Sequence, residues 1–547
     1  MIDFNKLNID GDILSDEKTL NQYSIDYSIF KVLPQAVIYP KNTNDLKKLV
    51  KFANESDNQI SITARSAGTD MSGGPLNTSL ILDFTKYFNK IIEINEKENY
   101  AIIEPGVYFR DFEAKLKPYN LFYPAYPASK DLCALGGMIS NNSGGEKTLK
   151  YGKTEKYVLS LKAVLSDGNE YEFYPLTYEE LQQKMNQQNF EGEIYRKIYD
   201  LINKNYDLIK NSKPKVSKNS TGYLIWDVLE KEKNIFDLSK IFIGAQGTLG
   251  LITQAKLKLV EAPKYEKLIV IFLNDLKQAP EIVNLLLKAN PESIESFDDK
   301  TFETAIKFLP QIIKLMKAGA FTLAFKFLPE IFMTITGGIP KMILLANFTG
   351  NNEDEITENI KNIKTTLDKL NIKNKIIKNS IEAQKYWTIR RYSFKLLHGA
   401  IKNKTAIPFI DDFVIKPEYL SEVLTKVNQI LEKHKDKLIY TIAGHPGDGN
   451  FHIIPLADLT REETRKIIPQ IMDEVYDLII KYNGSLSGEH NDGLLRTPYL
   501  KKMYTPEMIK IFEEIKMIFD PKNIFNPQKK VFYDENFILN HIKKENA

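Results

Sequence analysis

Gly444-His445-Pro446-Gly447-Asp448-Gly449-Asn450-Phe451-His452, with Ser487-Gly488-Glu489-His490 after it, is the stretch from which this chain is best read. The chain has six histidines, none before His398, and three of them fall in these two segments. Residues 440–444 predict a strand, 446–450 a tight turn and 451–456 a returning strand. Cross-strand neighbours in such a hairpin stand about 5 Å apart, which brings His445 and His452 together. Two imidazoles and a carboxylate suit a divalent metal with an open coordination position. Glu489 is the candidate third ligand, and His490 beside it is then free to act as a base. The competing reading is a glycine-rich hairpin that two histidines merely flank, because the spacing is not the helical H-E-x-x-H pattern.

Outward from there, the N-terminal half places small-residue stretches beside strands. Predicted strands 36–39 and 59–63 flank a helix over 43–54 and lead into Ala64-Arg65-Ser66-Ala67-Gly68-Thr69-Asp70-Met71-Ser72-Gly73-Gly74. Strands 80–84 and 100–104, a helix and the proline-extended run 123–129 precede Gly136-Gly137-Met138-Ile139-Ser140-Asn141-Asn142-Ser143-Gly144-Gly145. A hairpin of 157–165 and 170–175 turns at Asp167-Gly168. The third stretch, Gly244-Ala245-Gln246-Gly247-Thr248-Leu249-Gly250, precedes strand 251–258. Bare backbone N–H groups in such loops approach phosphates closely. None is a G-x-G-x-x-G opening a helix and none is a Walker loop, so Rossmann and P-loop readings fail. One such loop is ordinarily a turn. Three in one half of the chain point to a large phosphate-bearing cofactor.

From about residue 263 the pattern changes. Strand 265–273, helix 277–290, strand 341–348, an amphipathic helix over 353–370 and strands at 409–415 and 440–456 predict an α+β domain with an antiparallel sheet. Residues 308–340 are apolar, with lysines for most of their charge, and prolines and glycines break them. Lys326, Pro329 and Glu330 argue against a spanning helix. A helix pair lying on an anionic membrane surface and a buried helical hairpin both remain open.

At 547 residues the chain has room for two or three domains. Hydrophobic content of 43% with 27% charged residues is that of a globular protein. A net charge of +3, with no aromatic residues interleaved in basic clusters, argues against nucleic acid as a partner. The single cysteine, Cys133, excludes a disulfide framework, a Cys-rich zinc site and an iron–sulfur cluster carried by this chain. It also fits a reducing compartment. Residues 1–30 read as an irregular leader with short helical turns, and the polar start Met1-Ile2-Asp3-Phe4-Asn5-Lys6 lacks the apolar core of a signal peptide. The expected location is the cytoplasm, at the inner face of its membrane if 308–340 binds lipid.

These motifs together resemble the FAD-linked 2-hydroxyacid dehydrogenase family: D-lactate dehydrogenase, D-2-hydroxyglutarate dehydrogenase and the large glycolate oxidase subunit, with the vanillyl-alcohol-oxidase (PCMH) type of FAD domain. The resemblance runs from Pro34 to Lys529 and is carried by 65–74, 136–145, 244–253, 444–452, 488–490 and 519–529. It implies an α+β protein with a two-lobed PCMH-type FAD-binding domain over 1–262. An α+β substrate or cap domain would follow over 263–515, with 308–340 inserted, and a tail over 516–547 would return to the FAD domain. The implied cofactor cradle is Arg65, Ser66, Ala67, Gly68, Thr69, Asp70, Ser72 and Gly73, completed by Gly136, Gly137, Ser140, Asn141, Asn142, Gly247, Thr248 and Gly250. Thr69 stands where covalently flavinylated relatives carry a His, and Cys133 lies outside the covalent-Cys pattern, so the FAD is expected to be noncovalent. The family's divalent metal carries onto His445, His452 and Glu489, a set that accepts zinc, manganese, iron or cobalt. His490 matches the catalytic base and Asn450 a substrate contact. Arg390, ending Trp387-Thr388-Ile389-Arg390, matches the substrate-carboxylate clamp, a task suited to a bidentate guanidinium. The chain departs from the family at Arg391 and Gln246, where Glu is common. It departs again at Asn491-Asp492-Gly493 in place of G-x-G and at Gln528 in place of a Gly.

The implied reaction is oxidation of a small D-2-hydroxyacid, D-lactate first, to the 2-oxoacid. Arg390 would hold the carboxylate, the metal would polarise the hydroxyl, and His490 would take its proton as hydride passes to flavin. Electrons would leave to quinone or another external acceptor, consistent with peripheral membrane association. Two alternatives stand beside it: a non-redox transferase of the alkyl-dihydroxyacetone-phosphate synthase type, and a glycolate-oxidase-type subunit that needs partners.

Overall fold

The run Tyr265–Leu273 shows how the C-terminal half is built. Ile269, Ile271 and Leu273 join one apolar cluster, while Leu268, Val270 and Phe272 join another. Side chains alternate across a strand, so a continuous apolar run is a strand covered on both faces. In this computed structural model, which describes residues 7–56, 59–307, 338–400 and 404–546 (the backbone alone at 304–307 and 392–400), that strand lies in a seven-stranded sheet. The order is Lys373–Ile376, Tyr265–Leu273, Met342–Gly350, Ser293–Asp298, Ile442–His445, Asn450–Ile453, Phe413–Val414. Every neighbouring pair is antiparallel. Helices Ala279–Leu287, Glu353–Lys369, Leu420–Glu432 and Glu462–Lys481 pack on one face; Ile356, Ile360, Ile363 and Leu367 form one such inward stripe. Helix Ser380–Ala400 covers the other face through Tyr386 and Ile389.

Among the described residues the N-terminal half has two large sheets and two small ones. Asp12–Leu14, Ala36–Tyr39, Leu80–Asp83 and Ile62–Arg65 form the first, in that order, with the last three strands parallel. Helix Thr43–Glu55 sits between two of them, capped by Asn42 accepting from Asp45 N at 3.0 Å, with Leu46, Leu49, Val50 and Ala53 inward. The second sheet is antiparallel: Ile91–Asn95, Tyr100–Ile103, Leu251–Lys258, Val158–Val164, Glu170–Phe173. The end of the chain returns to the first sheet. Phe525 pairs with Ile62 in parallel; Ile62 N donates to Ile524 O at 2.7 Å and Asn526 N to Ile62 O at 2.8 Å.

Several local expectations need correction. The strand expected at 59–63 is Ile62–Arg65, and that at 409–415 is only Phe413–Val414. The leader contains strand Asp12–Leu14 and helix Glu17–Tyr23. The second small-residue stretch is a loop only after its first half. Leu135–Asn141 is a short helix, closed by Asn142 at φ 51. Strand Ser293–Asp298 is not expected from the sequence, because S-I-E-S-F-D interrupts its apolar residues with polar ones. The segment 308–340 lies, except for its last three residues, outside the described residues. No helix among the described residues is long and apolar enough to cross a membrane.

Candidate active site

The expected hairpin forms. His445 pairs with Asn450 and Ala443 with His452, so His445 and His452 sit diagonally on one face, rings 5.1 Å apart and edge to face. The turn needs Gly449: its φ is +67, and a Cβ there would lie 1.6 Å from Ile415 O. Residues 485–490 reach the hairpin because Ser485 and Val414 exchange backbone bonds of 2.8 and 2.9 Å. Asp412 then clamps that segment. It accepts from Ser487 Oγ at 2.6 Å, Glu489 N at 2.9 Å, His490 N at 2.7 Å and Asn450 Nδ2 at 3.0 Å. Burial opposes its charge, but His490, Arg496 and these bonds hold it far below the usual carboxylate range. His445, His452 and Glu489 consequently each offer a ligand atom, all within 4.8 Å of one another. His445 Nε2 is 3.4 Å from Glu489 Oε1.

Each of the three imidazoles turns Nδ1 to a carboxylate. His445 Nδ1 bonds to Glu295 Oε1, and Glu295 Oε2 accepts from Arg390 Nε at 3.1 Å and Nη2 at 3.0 Å. Burial pushes Glu295 up to about 7, with Arg390 pulling the other way. His452 Nδ1 lies 3.0 Å from Asp411 Oδ1. His490 Nδ1 lies 2.6 Å from Asp411 Oδ2, closely paired in charge but off the line of a straight hydrogen bond. Burial disfavours a charged His490, yet Asp412 and Asp411 outweigh it and hold the ring up at about 9. A divalent ion on the neighbouring residues would add the opposing charge. The fully buried Lys218 puts Nζ 2.5 Å from Glu489 Oε1 and 3.2 Å from Asp448 Oδ2. Despite burial, Lys218 and His445 help keep Glu489 ionised, at about 2. Two imidazole nitrogens and an ionised carboxylate are a donor set that fits a divalent ion, and carboxylate-braced imidazoles are the usual support for one.

These groups open on a cavity of about 470 Å³. Its lining has a glycine-bearing part, Arg65, Ser66, Gly68, Thr69 and Asp70 with Gly136, Gly137, Ser140, Asn141, Gly247 and Gly250, and includes His445, His452, Glu489, His490, Arg390 and Arg391 as well. Of the predicted cradle, Ala67, Ser72, Gly73, Asn142 and Thr248 do not line it. Ser72 is buried and donates to Asp70 at 2.8 Å, and Gly73 packs on Phe30 and Leu494. Asn142 accepts from Glu155 N at 3.0 Å, and Thr248 is paired with Tyr223 OH at 2.8 Å. Asn450 is likewise withdrawn: fully buried, it spends its amide on Asp412 and Phe413 O and does not reach the cavity.

The glycine-bearing part fits a flavin. Gly136 packs so closely on Pro105 that a Cβ would lie 2.5 Å from its side chain and 2.7 Å from its carbonyl oxygen. Gln246 ties the three stretches together: Nε2 donates to Ser72 Oγ and Asn141 Oδ1 at 3.3 Å, and Oε1 accepts from Gly493 N at 2.8 Å. An amide can do both at once where a carboxylate could only accept, so the departure from Glu is accommodated. Cys133 also lines the cavity, but burial pushes its thiol up to about 12, leaving no thiolate nucleophile at neutral pH. Arg391 is bound by Glu146 across the two halves of the chain, Nη2 lying 2.8 and 2.9 Å from its two oxygens.

Glu295, Asp411, Asp412 and Lys218 were missed. A pair of aspartates between Pro408-Phe409-Ile410 and Phe413-Val414-Ile415 was a usable signal, since charges inside an apolar run need buried partners. Lys218 sits among other lysines and gave none.

Residues 34–174 match a family model described as FAD binding domain, and residues 262–530 one described as FAD linked oxidases, C-terminal domain. D-2-hydroxyglutarate dehydrogenase of Haemophilus influenzae is 29% identical over 534 residues, 95% of this chain. The chain spans only half (50%) of that relative's length. D-lactate dehydrogenase of Anaerostipes hadrus is 26% identical over 526 residues, 95% of this chain and 93% of that one. An alkyldihydroxyacetonephosphate synthase structure superposes with a TM-score of 0.65 at 16% identity, covering 94% of this chain and 82% of its own, which shows a shared fold alone.

Proposed function

Because the chain belongs to the FAD-linked oxidase family, we propose that it oxidises a D-2-hydroxyacid to the 2-oxoacid, with D-2-hydroxyglutarate ahead of D-lactate as substrate. One observation carries this reading: the His445–His452–Glu489 donor set, His490 and two arginines line the same cavity as the glycines of the three small-residue stretches. Two guanidiniums lining the cavity, Arg390 and Arg391, suit a substrate with two carboxylates better than lactate with one. The first of the relatives described above bears that substrate in its name.

Arg390 binds the carboxylate next to the reacting carbon, sharing its fork with Glu295. His490 takes the hydroxyl proton at Nε2, because its Nδ1 faces Asp411. His445, His452 and Glu489 would hold a divalent ion and the glycine-bearing lining noncovalent FAD, which would supply Lewis acidity and a two-electron acceptor. Asn450 orients Asp412 rather than touching substrate. The electrons leave to an external acceptor, and quinone is the one to test first.

The test is anaerobic bleaching of the flavin by D-2-hydroxyglutarate, D-lactate, glycolate and their L-enantiomers, with and without chelator. The reading expects fast bleaching by D-2-hydroxyglutarate, lost on chelation and restored by zinc or manganese. No bleaching by any hydroxyacid in the ion-loaded protein would transfer the proposal to the non-redox transferase.

A further inference from the structure

Asp411 is fully buried against His452 and His490. Its Oδ1 is 3.0 Å from His452 Nδ1 and its Oδ2 is 2.6 Å from His490 Nδ1. The two rings stand 5.2 Å apart, tilted by 30°. One carboxylate therefore faces the same nitrogen of two imidazoles. These three groups could in principle enclose a second cation. Ligand atoms around a tetrahedral ion with bonds of about 2.0–2.1 Å stand about 3.3 Å apart, however, and both separations are shorter. They are donor–acceptor distances, the first a hydrogen bond and the second a close charge-paired approach off the straight line. Asp411 is also held from behind, because its carbonyl accepts from Nη2 of the fully buried Arg496 at 2.5 Å.

We propose that Asp411 is a positioning residue for two rings at once, keeping a proton on Nδ1 of both His452 and His490 so that both present a bare Nε2 to the cavity. The proposal rests on the reading of His452 as an ion ligand and His490 as the base. It assigns one buried carboxylate to the two tasks, so ion binding and proton transfer share a support.

An amide at this position exposes the sharing. Asparagine has one accepting and one donating atom, so it can serve the Nδ1–H of one ring only. The other ring must accept at Nδ1 and carry its proton on Nε2, where it can neither ligate nor take a proton. With an ion loaded, His452 is already fixed through its ligand bond, and the loss falls on His490.

In flavin-loaded protein, Asp411→Asn should keep zinc affinity within about tenfold of wild type. It should also slow anaerobic flavin reduction by D-2-hydroxyglutarate about 10²-fold or more. The same substitution in His490→Ala should cost no further rate, because its effect passes through that ring. Asp411→Ala should in addition weaken zinc about ten- to a hundredfold. Reduction within about threefold of wild type in Asp411→Asn, or a loss that adds in full to that of His490→Ala, overturns the proposal. Flavin absorbance and melting curves report whether each variant is folded. Where one is not, the wild type answers directly. Long-range ¹⁵N–¹H spectra of ¹⁵N-histidine protein should show a proton on Nδ1 of both His452 and His490, and a bare Nδ1 on either overturns the assignment. Failure of every hydroxyacid to reduce the wild-type flavin would instead count against the functional reading, leaving the Nδ1 protons to decide Asp411.

Discussion

Arg390 and Glu295 are bound to each other: Nε and Nη2 of the guanidinium lie 3.1 and 3.0 Å from a single carboxylate oxygen, Oε2, while the other oxygen holds Nδ1 of His445. The residue expected to grip the substrate is thus one bond away from the residue that braces an ion ligand. Glu295 stands on the face of the sheet that carries Phe297 and Leu345, where an unpaired carboxylate would be costly.

Glu295→Gln tests that brace. The amide holds His445 less well than the carboxylate does, and divalent-ion affinity should fall about ten- to a hundredfold. Competition against a chromophoric chelator measures it. Unchanged affinity would remove His445 from the ion site.

Arg391→Glu restores the residue common in the resembled family and tests the choice of substrate. Arg391 is half exposed at the cavity and paired with Glu146. The variant should lose at least about tenfold in kcat/KM for D-2-hydroxyglutarate, roughly one charge-assisted contact, while D-lactate is little affected. Equal losses on both substrates would mean that Arg391 only joins the two halves of the chain.

Asp412 makes acid stability predictable. Its folded-state pKa lies below the ordinary value of about 3.9. The stability it contributes is therefore complete above that value and is lost as pH falls through the folded one. Asp412→Asn should cost about 3 kcal/mol or more at pH 7, because four donors lose a charged acceptor. Melting curves of both proteins from pH 7 downward should converge below about pH 4. A gap that stays constant would show that the carboxylate's charge is not what matters.

Gly136→Ala probes the cofactor side. A methyl group 2.5 Å from the Pro105 side chain and 2.7 Å from its carbonyl oxygen must push helix Leu135–Asn141 away. The purified variant should carry markedly less flavin by absorbance at an unchanged far-UV spectrum. Full flavin occupancy would show that this helix does not shape the site.

Much of this was legible in the sequence. The hairpin, the His/Glu cluster and the central strand Tyr265–Leu273 are local patterns, written in neighbouring residues. What was not legible is the support behind them. Glu295 meets His445 across 150 residues, Asp412 meets His490 across 78, and Lys218 meets Glu489 across 271. No periodicity reports such pairings, because they are decided by which strands become neighbours. Asn450 shows the converse. Its motif marks it as a substrate contact, and register places it on the histidines' face, but burial and its hydrogen bonds turn its amide to Asp412 and Phe413 O.

The pairing of Ile62 with Phe525 imposes an order on biosynthesis. An edge of the first sheet stays bare until residues 524–526 have left the ribosome, although the strand they complete is among the earliest translated. The nascent N-terminal lobe must therefore wait, unfinished, through the synthesis of everything between. The sheet whose strand Ile62–Arg65 leads into the Arg65 loop is thus closed by residues made more than 450 positions later.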